Sequence, residues 1–309
     1  MIGAEPAAAA AVQVVGGLLL APLLPGLVQL FKARLQGRRG AGPGQPFRDL
    51  RRLWGKSAVT VEGTTAVYRL APAVVAAAVA TAVLVVPVAS RTAGWGVGHD
   101  ALALGGLLAL ARFAVAAASW DTGNGFALMG ASRDLMIAVF VELTLVLALA
   151  GPALAAGGTD LTAIIAAGAG ATAWTTPVRA LGAVAFALVA IAETGRQPVD
   201  NPDTHLELTM IHEGPLLEYA GRDLAYLQWA AAARHWLVLV LAAQVFLPHP
   251  AAVWAQLALL PVVLAALCGA LALTETLAAK MRILRVPRFL AAGAVAAGLG
   301  VTASLAGLA

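Results

Sequence analysis

The sequence predicts an all-α, polytopic integral membrane protein, and three observations carry that prediction. Hydrophobic residues fill 61% of the 309 positions and charged residues only 12%, about half the share usual in soluble domains. Apolar runs of about 20 residues, long enough to cross a hydrocarbon core as a helix, recur along the whole chain. Ala, Gly and Val dominate those runs, and small side chains let membrane helices approach closely. The mean hydropathy of +0.85 agrees. One membrane domain over residues 1–309 accounts for the pattern.

Eight crossings are expected, near 8–31, 69–90, 100–118, 133–151, 177–193, 224–247, 251–273 and 288–308. The first is not read as a cleavable signal, because no basic stretch precedes it and Lys32, Arg34, Arg38 and Arg39 follow it. Lys and Arg gather in cytoplasmic loops, so this cluster sets the first connection inside and the N-terminus outside. Alternation then puts 32–68, 119–132, 194–223 and 274–287 on the cytoplasmic side. With Arg69, Arg133 and Arg288 at the helix starts, those regions hold 16 of the 20 basic residues. Residues 160–175 are a possible ninth crossing, but that would move the late cluster Lys280, Arg282, Arg285 and Arg288 outside. A short helix on, or dipping into, the outer face is the expectation there.

The first loop has its own structure. Residues 36–46 are rich in Gly and Pro and cannot form a regular helix. The following FRDLRRLWGK interleaves Phe47, Leu50, Leu53 and Trp54 with Arg48, Arg51, Arg52 and Lys56, giving one apolar and one basic face. Such a helix suits the membrane interface or a docked soluble partner, and the same charges serve both.

Ionisable groups near hydrocarbon are costly and mark candidate functional sites. Glu142 sits more than two turns inside its crossing, where a carboxylate must be neutral, paired or hydrated, and it is a candidate proton carrier. Arg112 lies within another crossing; snorkelling satisfies it, or a pair with Glu142 or Glu193 does. Arg234 and His235 raise the same question.

Seven of the sixteen acidic residues fall between Glu193 and Asp223, a stretch bounded by apolar segments on both sides. Glu193 ends a crossing, Thr194-Gly195 supply a stop, and Pro198 and Pro202 keep the next turns extended around Asp200 and Asn201. A helix is expected to resume at Thr204, with Glu207 at the reciprocal capping position. His205 and His212, seven apart, would share one face of it, beside Glu213. They lack the convergent ligands a metal needs, so no metal site is assigned. A series of carboxylates and histidines (Glu193, Glu207, Glu213, Glu218, His205, His212) leading from the surface into a bundle is what proton entry requires. A solvated acidic loop is the plainer alternative.

Several functions are excluded. No Walker-type loop, dinucleotide fingerprint or nucleophile–base arrangement is present, so the chain is not expected to catalyse a reaction alone or to bind nucleic acid. Cys268 is the single cysteine and lies in an apolar run, so a disulfide framework or cysteine-held cluster cannot be built. No cofactor is expected in this chain.

The run ETGRQPVDNPDTHLELTMIHEGPLLEYAGRDLA resembles the signature segment of the membrane subunit of formate hydrogenlyase and related energy-conserving nickel–iron hydrogenases. SWDTGNGFALMGASRDLMIAVFVE, ARLQGRRGAGPGQPFRDLRRLWGK and LTETLAAKMRILRVPRFL are similar to other loops of that family, in order along nearly the whole chain. More distantly, the chain is similar to the complex I subunit that shapes the quinone chamber. The resemblance implies an eight-helix fold in a prokaryotic cell membrane. It implies partners as well: hydrogenase large and small subunits and an iron–sulfur subunit on the cytoplasmic side, and antiporter-like subunits in the membrane. Those partners would hold the nickel–iron centre and iron–sulfur clusters, and their electron transfer would drive proton or sodium translocation through this subunit. On that likeness Glu142 matches the acid of the fourth helix, and Glu193, Glu207, Glu213 and Glu218 match the acids of the signature loop. Arg196, Asp200 and Arg222 match its other charged positions, which pair with neighbours or face docked subunits, as Arg112 and Arg234 do inside the bundle. Gly195-Arg196-Gln197-Pro198-Val199-Asp200, followed by Asn201-Pro202, departs from the Asn-Arg-Ala-Pro-Phe-Asp typical of complex I and argues against quinone binding. A quinone-reducing subunit, a stand-alone ion transporter and a passive anchor are the competing readings.

Overall fold

The computed structural model describes residues 4–90, 98–169, 176–201 and 209–306. Among them every extended element is helical. The chain runs α1 (Ala4–Val14), α2 (Leu23–Leu35), α3 (Gln45–Trp54), α4 (Ala66–Val85), α5 (Ala101–Thr122), α6 (Gly125–Ala156), α7 (Leu161–Ala167), α8 (Pro177–Glu193), α9 (Gly221–Leu241), α10 (Val253–Leu277) and α11 (Val286–Leu305). Among the described residues six helices are long and apolar enough to cross a membrane: α4, α5, α6, α9 with its continuation to Phe246, α10, and α11 with its preceding turn. This is a multi-pass, all-helical membrane protein.

The first expected crossing, near 8–31, is a bent pair of helices. α1 continues through wide π-type turns over Val15–Leu20, and α2 then departs at 63°. Pro22 precedes α2, and the glycines before it admit a neighbour: a Cβ on Gly17 would meet Val83 at 2.3 Å and the Trp236 ring at 2.9 Å. Gln13, fully buried, sends its amide to the carbonyls of Val83, Leu84 and Val86 at 2.7–2.9 Å and so caps the end of α4. The expected crossing at 177–193 is α8, whose 17 residues span about 25 Å at 1.5 Å per residue. It packs between α6 and α11.

Two boundaries move. α6 begins at Gly125, not near 133, because Asn124 accepts from the Phe126 amide and starts the helix eight residues early. α10 runs on to Leu277, which carries Glu275 inside the bundle instead of in a loop. Residues 161–167 form the seven-residue α7, far too short to cross; residues 170–175 lie outside the described residues. Gly and Pro keep 36–42 irregular, and the amphipathic helix expected after them is α3.

The ends of the bundle differ. At one, His99 reaches the Val85 carbonyl and Gln244 the Val88 carbonyl, binding the end of α4 and the loop after it to the loop before α5 and to the π-type continuation of α9. At the other meet α3, the α5–α6 turn, residues 194–201 and 209–220, the start of α9 and the α10–α11 connection. Asp121 there accepts from Thr65 and from the Tyr68 amide at 2.8–3.1 Å, and Met281 donates to the Pro198 carbonyl at 2.9 Å.

Candidate functional site

The site is built where α8 ends. Glu193, 3% exposed, is its last residue, and Arg112 of α5, 4% exposed, closes on it at 2.6 Å between Nη2 and Oε1. Arg234 of α9 approaches the other carboxylate oxygen with Nε at 3.8 Å. One carboxylate thus lies between two guanidinium groups, a geometry that keeps buried charges tolerable only while all three are present. Of the two partners considered for Arg112, the fold selects Glu193. Glu142, half-buried on α6, stays within electrostatic range of Arg112, Glu193 and Asp134, and among the described residues no ion pair closes on it. Asp134 stands eight residues earlier on α6 and was missed by sequence reasoning.

A second group holds the acidic loop. His212 sits between two carboxylates, its Nδ1 3.2 Å from Asp200 and its Nε2 3.7 Å from Asp134. Asp200 also takes the Lys280 ammonium at 2.8 Å, and Lys280 donates to the Thr209 carbonyl at 2.9 Å. Burial opposes charge on Asp200, but the hydrogen bond and charge of His212, with those of Lys280, outweigh it and hold the carboxyl well below the usual carboxylate range. Arg133 adds a bond to the Met210 carbonyl at 3.2 Å.

A third group lies beside these. Arg196 donates to Glu275 at 3.0 Å, and Lys32 of α2 reaches the other oxygen of Glu275 at 3.4 Å. Glu275 is 4% exposed. Its signal was available: an acid inside an apolar helix, the same rule that singled out Glu142.

The loop differs from the helix expected after Thr204. Residues 209–213 form turns and bends, and a single 3-10 turn follows at Gly214–Leu216. Two forces set this shape. Lys280 and Arg133 pull on backbone carbonyls, and the loop touches α6 backbone to backbone, since a Cβ on Gly130 would lie 2.8 Å from the Gly214 Cα. His205 and Glu207 lie outside the described residues, so their shared face with His212 is not described either. Glu218 is fixed at the rim: the Asn124 amide donates to its carboxylate, and Tyr68 donates to its carbonyl at 2.8 Å. Tyr219 stacks on Tyr68 at 4.5 Å and returns a 2.9 Å bond to the Tyr68 carbonyl. Arg222 is exposed.

The Glu193 and His212 groups, with Arg196 of the third, line one cavity of about 630 Å³. Arg112, Asp134, Glu193, Arg196, Asp200, His212, Glu213, Arg234 and His235 form its polar wall, and Pro25, Leu50, Val75 and Val79 its apolar one. Among the described residues, Nε and Nη1 of Arg112, Nε of Arg196 and Nε2 of His235 are buried without a hydrogen-bond partner. Buried polar atoms need hydrogen bonds, and a polar space this large accommodates water that supplies them. Among the described residues no three His, Cys, Asp or Glu side chains converge as a metal site would require. The arrangement is suited to holding and moving charge through water and side chains.

The chain is similar to known proteins over most of its length. The family model described as NADH dehydrogenase matches residues 8–303. Formate hydrogenlyase subunit 4 of Escherichia coli (strain K12) is 35% identical over 296 residues, 89% of this chain and 91% of that protein. Hydrogenase-4 component C of the same organism is 33% identical over 232 residues, 75% of this chain and 72% of that one. NADH-quinone oxidoreductase subunit 8 of Rhodothermus marinus is 26% identical over 185 residues, 59% and 53% of the two chains. A chain in the solved structure of the membrane-bound sulfane sulfur reductase, an archaeal respiratory membrane complex, shares the fold with a TM-score of 0.83 at 21% identity, covering 96% of this chain and 98% of that one. The chain therefore belongs to the NADH dehydrogenase family, on the side of it that holds formate hydrogenlyase subunit 4 and hydrogenase-4 component C.

Proposed function

We propose that this chain is the membrane subunit of a hydrogenase-type respiratory complex in a prokaryotic cell membrane, anchoring a soluble nickel–iron and iron–sulfur arm and coupling its electron transfer to proton or sodium movement. On this reading eight segments cross, the bent α1–α2 pair and α8 included, the N-terminus lies outside, and the loop-rich end with residues 194–223 faces the cytoplasm. Hydrogenase large and small subunits and an iron–sulfur subunit dock there, and antiporter-like subunits contact the membrane flank. The metal centres belong to those partners.

The observation that carries the reading is Glu193 held between Arg112 and Arg234 on the wall of a cavity shared with Asp134, His212 and Asp200. In a medium of effective dielectric near 20, two unit charges 4 Å apart interact by about 4 kcal/mol. A proton gained or lost at one member therefore changes the protonation preference of the others strongly. A docked arm that changes the charge at the cavity mouth has a physical route to Glu193 and, through Arg112, to Glu142 in the membrane. Glu193→Gln in the assembled complex tests this. Hydrogen turnover with an artificial electron carrier should stay within about twofold, while ion translocation into vesicles falls at least about tenfold. Translocation unchanged in an intact complex would remove the coupling role.

The cavity also favours a second reading, a quinone-binding subunit, because about 630 Å³ falls in the usual range of small-molecule sites. Reduction of a quinone analogue by the purified complex, abolished by changes in residues 193–223, would select it.

A further inference from the structure

At the loop-rich end, the corner between α3 and the start of α9 carries an aromatic pair to which neither reading assigns a role. Here Trp54 and Tyr226, 45% and 43% exposed, meet edge to face with ring centroids 6.4 Å apart. Each ring carries an exposed arginine one turn earlier on its own helix: Arg51 three residues before Trp54, and Arg222 four before Tyr226. Those spacings put each arginine on the same stripe as its ring. Among the described residues neither arginine has an acid partner. Arg48 bonds Gln45 and Arg52 lies 3.9 Å from Asp49, so they are partly engaged. The corner is held closed by Gly221, whose φ of +57° and contact with the Ser57 carbonyl (a Cβ would lie 2.1 Å from it) leave room for no side chain.

We propose that this corner binds one anionic phospholipid, with Arg51 and Arg222 on its phosphate and the Trp54–Tyr226 pair against its glycerol and first acyl carbons. Three observations select a lipid over an acidic protein surface. α9 is a crossing helix, so its first turns sit at headgroup depth. Trp and Tyr with flanking cations are the side chains that partition to that depth. And α3, with Leu50 buried and Arg48, Arg51 and Arg52 exposed, has the two-faced build of a helix lying in the interface plane. The inference rests on membrane insertion alone and is independent of redox coupling.

Native mass spectrometry of the purified, delipidated assembly, titrated with dioleoylphosphatidylglycerol or dioleoylphosphatidylcholine, tests it. Each basic residue at an anionic surface contributes about fivefold, so Arg51→Ala with Arg222→Ala should lower phosphatidylglycerol retention on the order of 25-fold and leave phosphatidylcholine retention unchanged. Arg51→Lys with Arg222→Lys should recover most of the loss, which separates lost charge from lost folding. Arg38→Ala with Arg39→Ala removes the same charge before the other end of α3 and should change retention less than about twofold. The proposal is overturned if this control loses as much, if the two lipids bind alike, or if millimolar inorganic phosphate displaces the lipid. It is also overturned if the Arg51/Arg222 variant sheds soluble subunits while retaining its lipid.

Discussion

Individual ion pairs set the sensitivity of this site. Arg112 and Glu193 are both more than nine-tenths buried and touch at 2.6 Å. Removing one partner strands the other charge, which typically costs about 3–5 kcal/mol. Arg112→Ala should therefore lower the melting temperature of the purified complex clearly, and Arg112→Ala with Glu193→Gln should restore part of it. Asp200 works differently, because it fastens a loop. Its carboxyl lies below the ordinary range in the folded protein, so its contribution is complete above about pH 4 and is lost as pH falls further. Limited proteolysis within residues 201–213 should be independent of pH from 8 to 5 and accelerate below about pH 4. Asp200→Asn should give the fast cleavage at neutral pH. Cleavage of that variant at the normal rate would show that Lys280 and His212 do not fasten the loop through Asp200.

Helices and loops fit here by close approach as much as by charge. The contact of α6 with the 214–216 turn is backbone on backbone at Gly130 and Gly214, with the Pro215 ring on the same spot. Gly130→Ala places a methyl 2.8 Å from rigid atoms, and an overpacked contact of this kind costs about 1–3 kcal/mol. Because α6 also carries Asp134 and Glu142, the displacement should be read twice: as lower stability in a melt, and as weakened ion translocation with redox turnover retained. A Gly130→Ala complex with wild-type values of both would show that the turn yields freely. The bend between α1 and α2 has a similar origin, since Trp236 occupies the space that side chains at Gly16 and Gly17 would need. Sequence reading drew one crossing there because both halves are apolar, and hydropathy reports burial in lipid without direction.

For the whole molecule, the inner-facing polar groups and the outer apolar faces belong to one design. Phe113, Val139, Val262, Val295 and Leu299 point outward at 58–65% exposure on α5, α6, α10 and α11, as lipid or neighbouring membrane subunits require. A stand-alone transporter would move ions without those neighbours. The isolated chain reconstituted into liposomes is expected to give no ion flux above protein-free vesicles; a saturable, gradient-driven flux would overturn the subunit assignment. Cysteines placed in residues 36–44 and 278–282 should react with a membrane-impermeant thiol reagent in inverted vesicles and be protected in right-side-out ones, and the opposite pattern would invert the proposed topology.

Membrane class, the order of the helices and the amphipathic α3 were legible in the chain because hydropathy and charge act locally, residue by residue, and the same local rule singled out Glu142 and the 193–223 acids as candidates. Which charges meet was not. Arg112 had two candidate partners, Asp134 gave no signal beside its more deeply placed neighbour Glu142, and Glu275 and Lys32 lie far apart in sequence. Ion pairing inside a bundle depends on distances of a few ångströms between helices, and those are set by packing and by small-residue contacts such as Gly130 on Gly214. Composition decided that this protein lives in a membrane; only the packed bundle decided that Glu193 stands between two arginines.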